Sequence, residues 1–324
     1  MKIVFFGSPA SALPSLEKLI KEGHDVCLVV TQPDRPKGRG RNPSPPPVKK
    51  MAMEHGIPCL QPLKIKKDLQ TARTIKAYAP ELIVVVAYGQ IIPSSIIYLP
   101  RYNSLNVHFS LLPKYRGASP VQWAILNGEK KTGVTIFQLN EKMDEGDILT
   151  WEEVEIFPQE KAVELETRLA RKGAELLSST IARIDTLVPC KQDHSQATYA
   201  PKLKKEDGRI DWGRSASFID RQVRALNPWP STFTHLGERL IKITEGNNIL
   251  SETKSRPPGT IQAVRKDGIE VCCGEKSVYL VRKLQPENKR EMEAYAFSLG
   301  ARLKPGDKFV QFEDNERRGA GKKL

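Results

Sequence analysis

Lys2-Ile-Val-Phe-Phe-Gly7 opens the chain, Ser8-Pro9 turns it, and Val26-Cys-Leu-Val-Val30 follows a run with Leu13, Leu16, Leu19 and Ile20 at helical spacing. The reading of this stretch decides the fold. Ile3 to Phe6 is an unbroken apolar run, as suits a strand buried on both faces of a parallel sheet. The leucines recur every three or four residues, which predicts an amphipathic helix, and Gly23 stops it. A second apolar run at Val26 to Val30 completes a β-α-β unit, so a doubly wound, mostly parallel α/β sheet is expected. The first turn holds one glycine and no Gly-x-Gly-x-x-Gly, which leaves no reason to expect a dinucleotide.

The pattern continues outward from there. Val48 to His55 reads as a short helix, Ile57 to Leu60 as a short strand and Ile65 to Tyr78 as a helix with a basic face. Leu82 to Ala87 is the clearest buried strand; Tyr88-Gly89 at its end would let backbone approach a ligand, and Tyr88 reads equally well as a core-edge aromatic. Strands are expected at Leu105 to Phe109, Gly133 to Leu139 and Ile148 to Ile156, with a helix at Pro120 to Leu126. Val163 to Ile184 reads as a long amphipathic helix covering the sheet. Periodicity dissolves at about residue 187. The expected organisation is a first domain over 1–188, a linker over 189–208 and a second domain over 209–324. In the second domain a helix, Ala216 to Leu226, precedes Asn227-Pro-Trp-Pro230. Short strand runs then follow at Ser231 to His235, Leu240 to Ile243, Gly259 to Val264, Gly268 to Cys272 and Val278 to Leu284. Short strands spaced by turns suggest a small antiparallel barrel.

Residues 104 to 149 carry the chemistry. Alternation along the strand puts Asn106 and His108 on one face. The amide can donate to a developing oxyanion, and the imidazole can move a proton or donate a second hydrogen bond. The strand gives way to Ser110-Leu111-Leu112-Pro113, where the proline ends regular pairing. Such strand ends are where open α/β sheets bind ligands. Asp144, in Asp144-Glu-Gly-Asp147, supplies a carboxylate able to orient or charge the histidine. Taken singly, Asn106 reads as a strand-end cap, His108 as a structural histidine and Asp144 as a turn residue.

Lys plus Arg number 51 against 38 Asp plus Glu, a formal charge of +13. Clustered cations favour a polyanion such as nucleic acid through counterion release, although solubility alone accounts for the net charge equally well. Residues 32–47 bring four cations, Arg35, Lys37, Arg39 and Arg41, into a proline- and glycine-rich connection without periodicity. Connections this long inside a domain are functional or disordered, and here the cations could follow a phosphate backbone or simply be solvated. The five cysteines make no C-x-x-C pair, which argues against a zinc site or a disulfide framework and fits a reducing compartment. No apolar run is long enough to span a bilayer, and a strand beginning at Lys2 leaves no room for a signal peptide. A cytoplasmic protein is expected.

The ordered set Asn106-x-His108-x-Ser-Leu-Leu-Pro113, Arg116-Gly-x-x-Pro120, Asn127-Gly128, Thr132-Gly-Val-Thr135 and Asp144-x-Gly-Asp-Ile148 resembles the folate-dependent formyltransferases. Thr31-Gln-Pro-Asp-Arg-Pro-Lys-Gly-Arg-Gly40, Val84-Val-Val-Ala-Tyr-Gly89, Tyr199-Ala-Pro-Lys202 and Arg224-Ala-Leu-Asn-Pro-Trp-Pro230 match as well, and the first loop and the Asn-Pro-Trp-Pro segment narrow the likeness to the branch that acts on methionyl initiator tRNA. The resemblance implies a Rossmann-like catalytic domain and an OB-like barrel suited to nucleic acid. It implies 10-formyltetrahydrofolate as formyl donor, no metal, and a monomer. It implies catalysis by Asn106, His108 and Asp144, and folate contacts from Ser110, Leu111, Leu112, Pro113, Tyr88 and Gly89. Contacts to tRNA would come from Arg35, Lys37, Arg39 and Arg41, with Arg39 foremost and the loop ordering on binding. Phe109 departs from the family, which has a small residue there. Alternation points it away from His108, so it is expected to pack in the core. A formyltransferase acting on a small amine, or a hydrolase using water, would share the central motif without needing the basic loop. A non-catalytic RNA-binding protein would have no use for the triad.

Overall fold

In the computed structural model, residues 1–37, 42–250 and 256–310 are described. They pack into two compact units. One comprises residues 1–121, 130–157 and 163–202, and the other residues 122–129, 158–162 and the described part of 203–324.

The first unit grows from the opening β-α-β. Strand β1 (Lys2–Gly7) leads through helix α1 (Leu13–Lys21) to β2 (Asp25–Val30). Strands β3 (Arg35–Lys37) and β4 (Asn42–Ser44) precede α2 (Pro47–Glu54) and β5 (Cys59–Leu60). Then come α3 (Leu69–Tyr78), β6 (Leu82–Val86), α4 (Ser94–Ile97), β7 (Ser104–His108) and β8 (Arg116–Gly117); most of the next helix, α5 (Pro120–Leu126), belongs to the second unit. Strands β9 (Lys131–Gln138) and β10 (Ile148–Glu155), helix α6 (Ala162–Ala182) and strand β11 (Tyr199–Ala200) complete the first unit.

Seven strands form one sheet in the order β10-β9-β7-β6-β1-β2-β5. From β5 to β7 all pairs are parallel, and β9 and β10 are added antiparallel. Side-chain alternation sorts the core. Val4, Phe6, Ile83 and Val85 share one buried cluster with Ile75, Ile96 and Ile97 of α3 and α4. All five side chains of β6 are buried, and each contributes roughly 1.5–3 kcal/mol. On the other face, α6 brings Gly173 against Val107, Val134 and Phe109.

Two segments differ from the sequence reading. Residues 65–78 form a 3-10 turn, Ile65–Lys67, and a separate helix. The break is chemical: the Asp68 carboxylate accepts from the Thr71 amide at 2.9 Å and caps a new helix. The connection at 32–47 is not irregular throughout, because β3 and β4 pair antiparallel with Arg35 opposite Ser44. Prolines opposite one another at 36 and 43 hide this hairpin from a periodicity argument.

In the second unit, α7 (Ala216–Leu226) leads to β12 (Thr232–Leu236), β13 (Arg239–Ile249), β14 (Ile261–Arg265), β15 (Gly268–Cys272), β16 (Val278–Pro286), β17 (Met292–Glu293) and α8 (Ala294–Ala301). All pairs are antiparallel, in the order β12-β13-β16-β15-β14 with β17 on β16. Register shifts near Thr244–Gly246 bend the long β13. The core is built on Trp212, which is fully buried, stacks on Phe309 and donates its indole N–H to Thr234 Oγ1 at 3.1 Å. The basic residues at 317–323 lie outside the described residues.

Candidate active site

The sheet order contains a topological switch. The chain runs from β1 outward to β2 and β5, then returns past β1 to β6 and β7. Ligands bind outside the carboxyl ends of strands at such a crossing. Gln32, just past β2, joins three of these ends: its backbone N–H donates to Ser8 Oγ at 2.9 Å, and its side-chain amide donates to the Tyr88 carbonyl at 3.1 Å.

The end of β7 carries the central pair. His108 is 7% exposed. Its Nε2 lies 2.9 Å from the Tyr115 carbonyl oxygen, which can only accept, so Nε2 carries a hydrogen. Tyr115 adopts a left-handed backbone, φ 61°, that helps to aim this carbonyl. The other ring nitrogen, Nδ1, faces Asp144 Oδ2 at 3.8 Å, an ion-pair distance rather than a hydrogen bond. That same oxygen accepts the Gly117 amide hydrogen at 2.7 Å. Gly117 needs to be glycine: φ is +122°, and a Cβ would come within 2.6 Å of the Ala200 carbonyl oxygen. Asn106 is half-buried two residues before His108 on the same strand. The three expected catalytic residues are thus brought together.

Behind Asp144 lies a group that spacing did not reveal. Arg116 is 1% exposed. It donates from Nε and Nη2 to Gln192 Oε1, at 3.1 and 2.7 Å, and its Nη1 faces Glu145 at 3.5 Å. The Gln192 amide nitrogen then donates to the carbonyls of Asp144 and Gly146, at 2.9 and 2.7 Å. Arg116 sits in the Arg-Gly-x-x-Pro motif, a signal that could have found it. Gln192 falls where periodicity dissolves, and nothing in the sequence marks it.

Of the expected folate contacts, Ser110 to Pro113 leave β7 directly toward this site. Thr135 pins the segment, donating to the Ser110 carbonyl at 2.7 Å and accepting from the Leu112 amide at 3.2 Å. Ser110 Oγ donates to the Lys114 carbonyl at 2.6 Å. Leu111 is half-buried and Leu112 buried. The Tyr88 ring does not line the site. It packs edge-on against Phe6 in the core, and burial pushes its phenol well above the ordinary range. Gly89, with φ +83°, is exposed, and Gln32 Nε2 lies 3.9 Å from where a Cβ would stand. Phe109 is buried and packs toward Gly173 of α6, on the side away from His108.

Of the basic residues, Arg35 is exposed and reaches Gln32 Oε1 at 3.4 Å. The hairpin base is braced by Lys49, which donates to Asp34 at 2.9 and 3.0 Å and to Gln61 at 2.6 Å. Arg39 and Arg41 lie outside the described residues, as does the side chain of Lys37. Among the described residues, no group of three or more His, Cys, Asp or Glu could hold a metal ion. No helix among them is long and apolar enough to cross a membrane.

Residues 1–181 match the formyl transferase family, and residues 202–302 match the formyl transferase C-terminal domain. The chain belongs to the formyl transferase family. Within it, a methionyl-tRNA formyltransferase of Citrifermentans bemidjiense is 45% identical over 308 residues, 94% of this chain and 95% of that protein. A methionyl-tRNA formyltransferase of Bacillus subtilis is 42% identical over 94% of this chain and 96% of that protein. Among solved structures, an N-formyltransferase of Helicobacter canadensis in complex with folinic acid and dTDP-3-aminofucose aligns with a TM-score of 0.65 at 19% identity, covering 87% of this chain and 98% of that one. HypX of Aquifex aeolicus in complex with tetrahydrofolic acid aligns at 0.59 and 18% identity, covering 97% of this chain and 51% of that one. At these identities the structures share the fold alone. The opening β-α-β therefore belongs to a formyl transferase sheet.

Proposed function

We propose that this chain transfers the formyl group of 10-formyltetrahydrofolate to the α-amine of methionyl initiator tRNA. The observation that carries the reading is His108, held between the Tyr115 carbonyl and Asp144 on the strand that also presents Asn106. The names of relatives at 42–46% identity over 94% or more of the chain supply the acceptor.

The amine nitrogen attacks the formyl carbon, and the formyl oxygen becomes an oxyanion. Asn106 donates its amide N–H to that oxygen. His108, with Nε2–H committed to Tyr115, meets the oxyanion through Nδ1 when that nitrogen is protonated beside Asp144. Collapse breaks the bond from the formyl carbon to the folate nitrogen. The amine loses one proton and the leaving nitrogen gains one, relayed by the Asp144 carboxylate. A neutral amine is nucleophile enough that no covalent enzyme intermediate is required. The donor meets Ser110 to Pro113 and the exposed Gly89, while Tyr88 contributes backbone rather than its ring.

Arg35, Lys37, Arg39 and Arg41 of the basic segment 32–47 take the acceptor end of the tRNA. In this reading residues 1–188 carry out the transfer, 189–208 connect, and 209–324 grip phosphates. A monomer working in the cytoplasm fits the five free cysteines.

The test is formyl transfer from 10-formyltetrahydrofolate to methionyl initiator tRNA, methionyl elongator tRNA and free methionine. Product with the initiator alone is expected. Product with free methionine at the same rate would overturn the tRNA reading, and formate release without transfer would make the chain a hydrolase.

A further inference from the structure

The segment that follows α6 is built into the catalytic loops. The Cys190 amide and carbonyl pair with Ile148, 2.8 Å each way. Thr198 Oγ1 accepts the Tyr115 amide hydrogen at 2.9 Å, and the Thr198 carbonyl accepts that of Arg116 at 2.9 Å. Tyr199–Ala200 then pairs in parallel with Arg116–Gly117. Residues 190–200 therefore hold from behind both groups that set His108: Tyr115, which fixes its tautomer, and Asp144, which faces its other nitrogen.

We infer that Gln192 is a positioning residue for formyl transfer, acting through Asp144; this rests on the role proposed above for that carboxylate. Asp144 has a left-handed backbone, φ 55°, a region that Asp enters more readily than most non-glycine residues, and the bonds from Gln192 hold the loop in that turn. Gln192 is 6% exposed, both hydrogens of its amide go to the Asp144 and Gly146 carbonyls, and its oxygen takes two donors from Arg116. An amide is the one side-chain group of this size that can accept from a guanidinium with one atom and donate to two carbonyls with the other. The Arg116 charge is balanced in turn by Glu145, the residue after Asp144. The loop is thereby gripped at 144, 145 and 146, so the Asp144 carboxylate is left aimed at Gly117 N–H and His108.

Gln192→Glu is the decisive variant. It keeps the shape and the acceptor for Arg116 but replaces both donors to the loop by an oxygen that repels the two carbonyls. Misplacing a reacting group by about 1 Å costs on the order of 100-fold. With methionyl initiator tRNA and 10-formyltetrahydrofolate, kcat is expected to fall about 10–100-fold, with KM for both substrates within about two-fold of wild type. Gln192→Met, near-isosteric and uncharged, should do the same, and it replaces the first variant should that one fail to fold. The discriminating readout is the cycle with Asp144→Ala. If Gln192 acts through Asp144, Gln192→Glu adds no further loss in that background, whereas an independent structural effect multiplies. Full kcat in the Gln192 variants, or multiplicative losses in the cycle, would overturn the inference while leaving the proposed function standing. An Asp144→Ala enzyme of wild-type rate would remove the role on which the inference rests, and a wild-type protein that formylates no tRNA would remove the function itself.

Discussion

His108 and Tyr115 are joined side chain to backbone: Nε2 lies 2.9 Å from the carbonyl oxygen seven residues on, so the proton on that nitrogen is fixed. The other ring nitrogen, Nδ1, faces Asp144. One end of the ring is thus held by backbone, and in the proposed mechanism the other end, with the half-buried amide of Asn106, meets the reacting atoms.

Removing any of the three should be severe in rate and mild in stability. A lost oxyanion donor costs about 3 kcal/mol, on the order of 100-fold in kcat. General acid–base help is worth about 10²–10⁴-fold. Asn106→Ala, His108→Ala and Asp144→Ala are each expected to lower kcat by at least about 100-fold with thermal unfolding little changed. Single-turnover assays alongside circular dichroism melts check this, and a variant that keeps its rate leaves the scheme.

For the basic segment 32–47, Arg39→Ala should raise KM for methionyl-tRNA far more than KM for the folate. Equal losses for both substrates would contradict a tRNA contact. Counterion release adds a second observable: tRNA affinity should fall linearly in log–log plots against salt, with a shallower slope for the variant by about one unit. A flat salt dependence would count against phosphate contacts altogether.

Most of the sheet was legible in the sequence because buried parallel strands are continuous apolar runs, as in Leu82 to Val86. The placement of Asn106 and His108 on one strand, with Asp144 facing His108 at 3.8 Å, was legible because the three sit within about 40 residues on predicted elements. What escaped shares one physical feature: it depends on side chain to backbone bonds between distant segments. Gln192 grips a loop 46 and 48 residues away, and no periodicity records such a bond. For Tyr88 the residues alone left ligand and core equally open. Whether an aromatic at a strand end faces ligand or core depends on its neighbours, and its ring packs edge-on against Phe6.

Cysteine chemistry gives a prediction with its sign set by burial. The Cys273 thiol is pushed up to about 12 by burial, and burial also raises Cys272, Cys27 and Cys59. A raised thiol stays protonated at pH 8, and only the thiolate is nucleophilic. Cys190 is exposed. In native protein at pH 8, N-ethylmaleimide should modify Cys190 first, and Cys273 only when denaturant opens the second unit. Peptide mapping by mass spectrometry reads the order directly. Early modification of Cys273 would show that its core opens far more readily than its packing implies.

The last prediction concerns Phe109, the bulky residue beside the catalytic strand. Val107 and Phe109 face α6 while Asn106 and His108 face the site, and Gly173 supplies the notch that lets the helix lie close. A Cβ on Gly173 would come 2.8 Å from Val107 Cγ1 and 3.3 Å from Val134 Cγ1, with Phe109 in ordinary contact at 3.5 Å. Valine branches at Cβ and has few rotamers with which to yield. Overpacking of this kind costs typically about 1–3 kcal/mol, against the roughly 0.5–1 kcal/mol that alanine gains over glycine in a helix. Gly173→Ala should therefore be net destabilising, by about 1–2 kcal/mol, and should lower kcat as well, since strand β7 carries Asn106 and His108, the pair proposed to be catalytic, on its other face. Adding Val107→Ala clears the nearer clash and should recover part of the rate even though it removes core volume. Denaturant unfolding and kcat for the two single variants and the double variant decide it. A Gly173→Ala protein that melts above wild type would mean that α6 can move away without cost, and that the bulk behind His108 does not set the position of the strand.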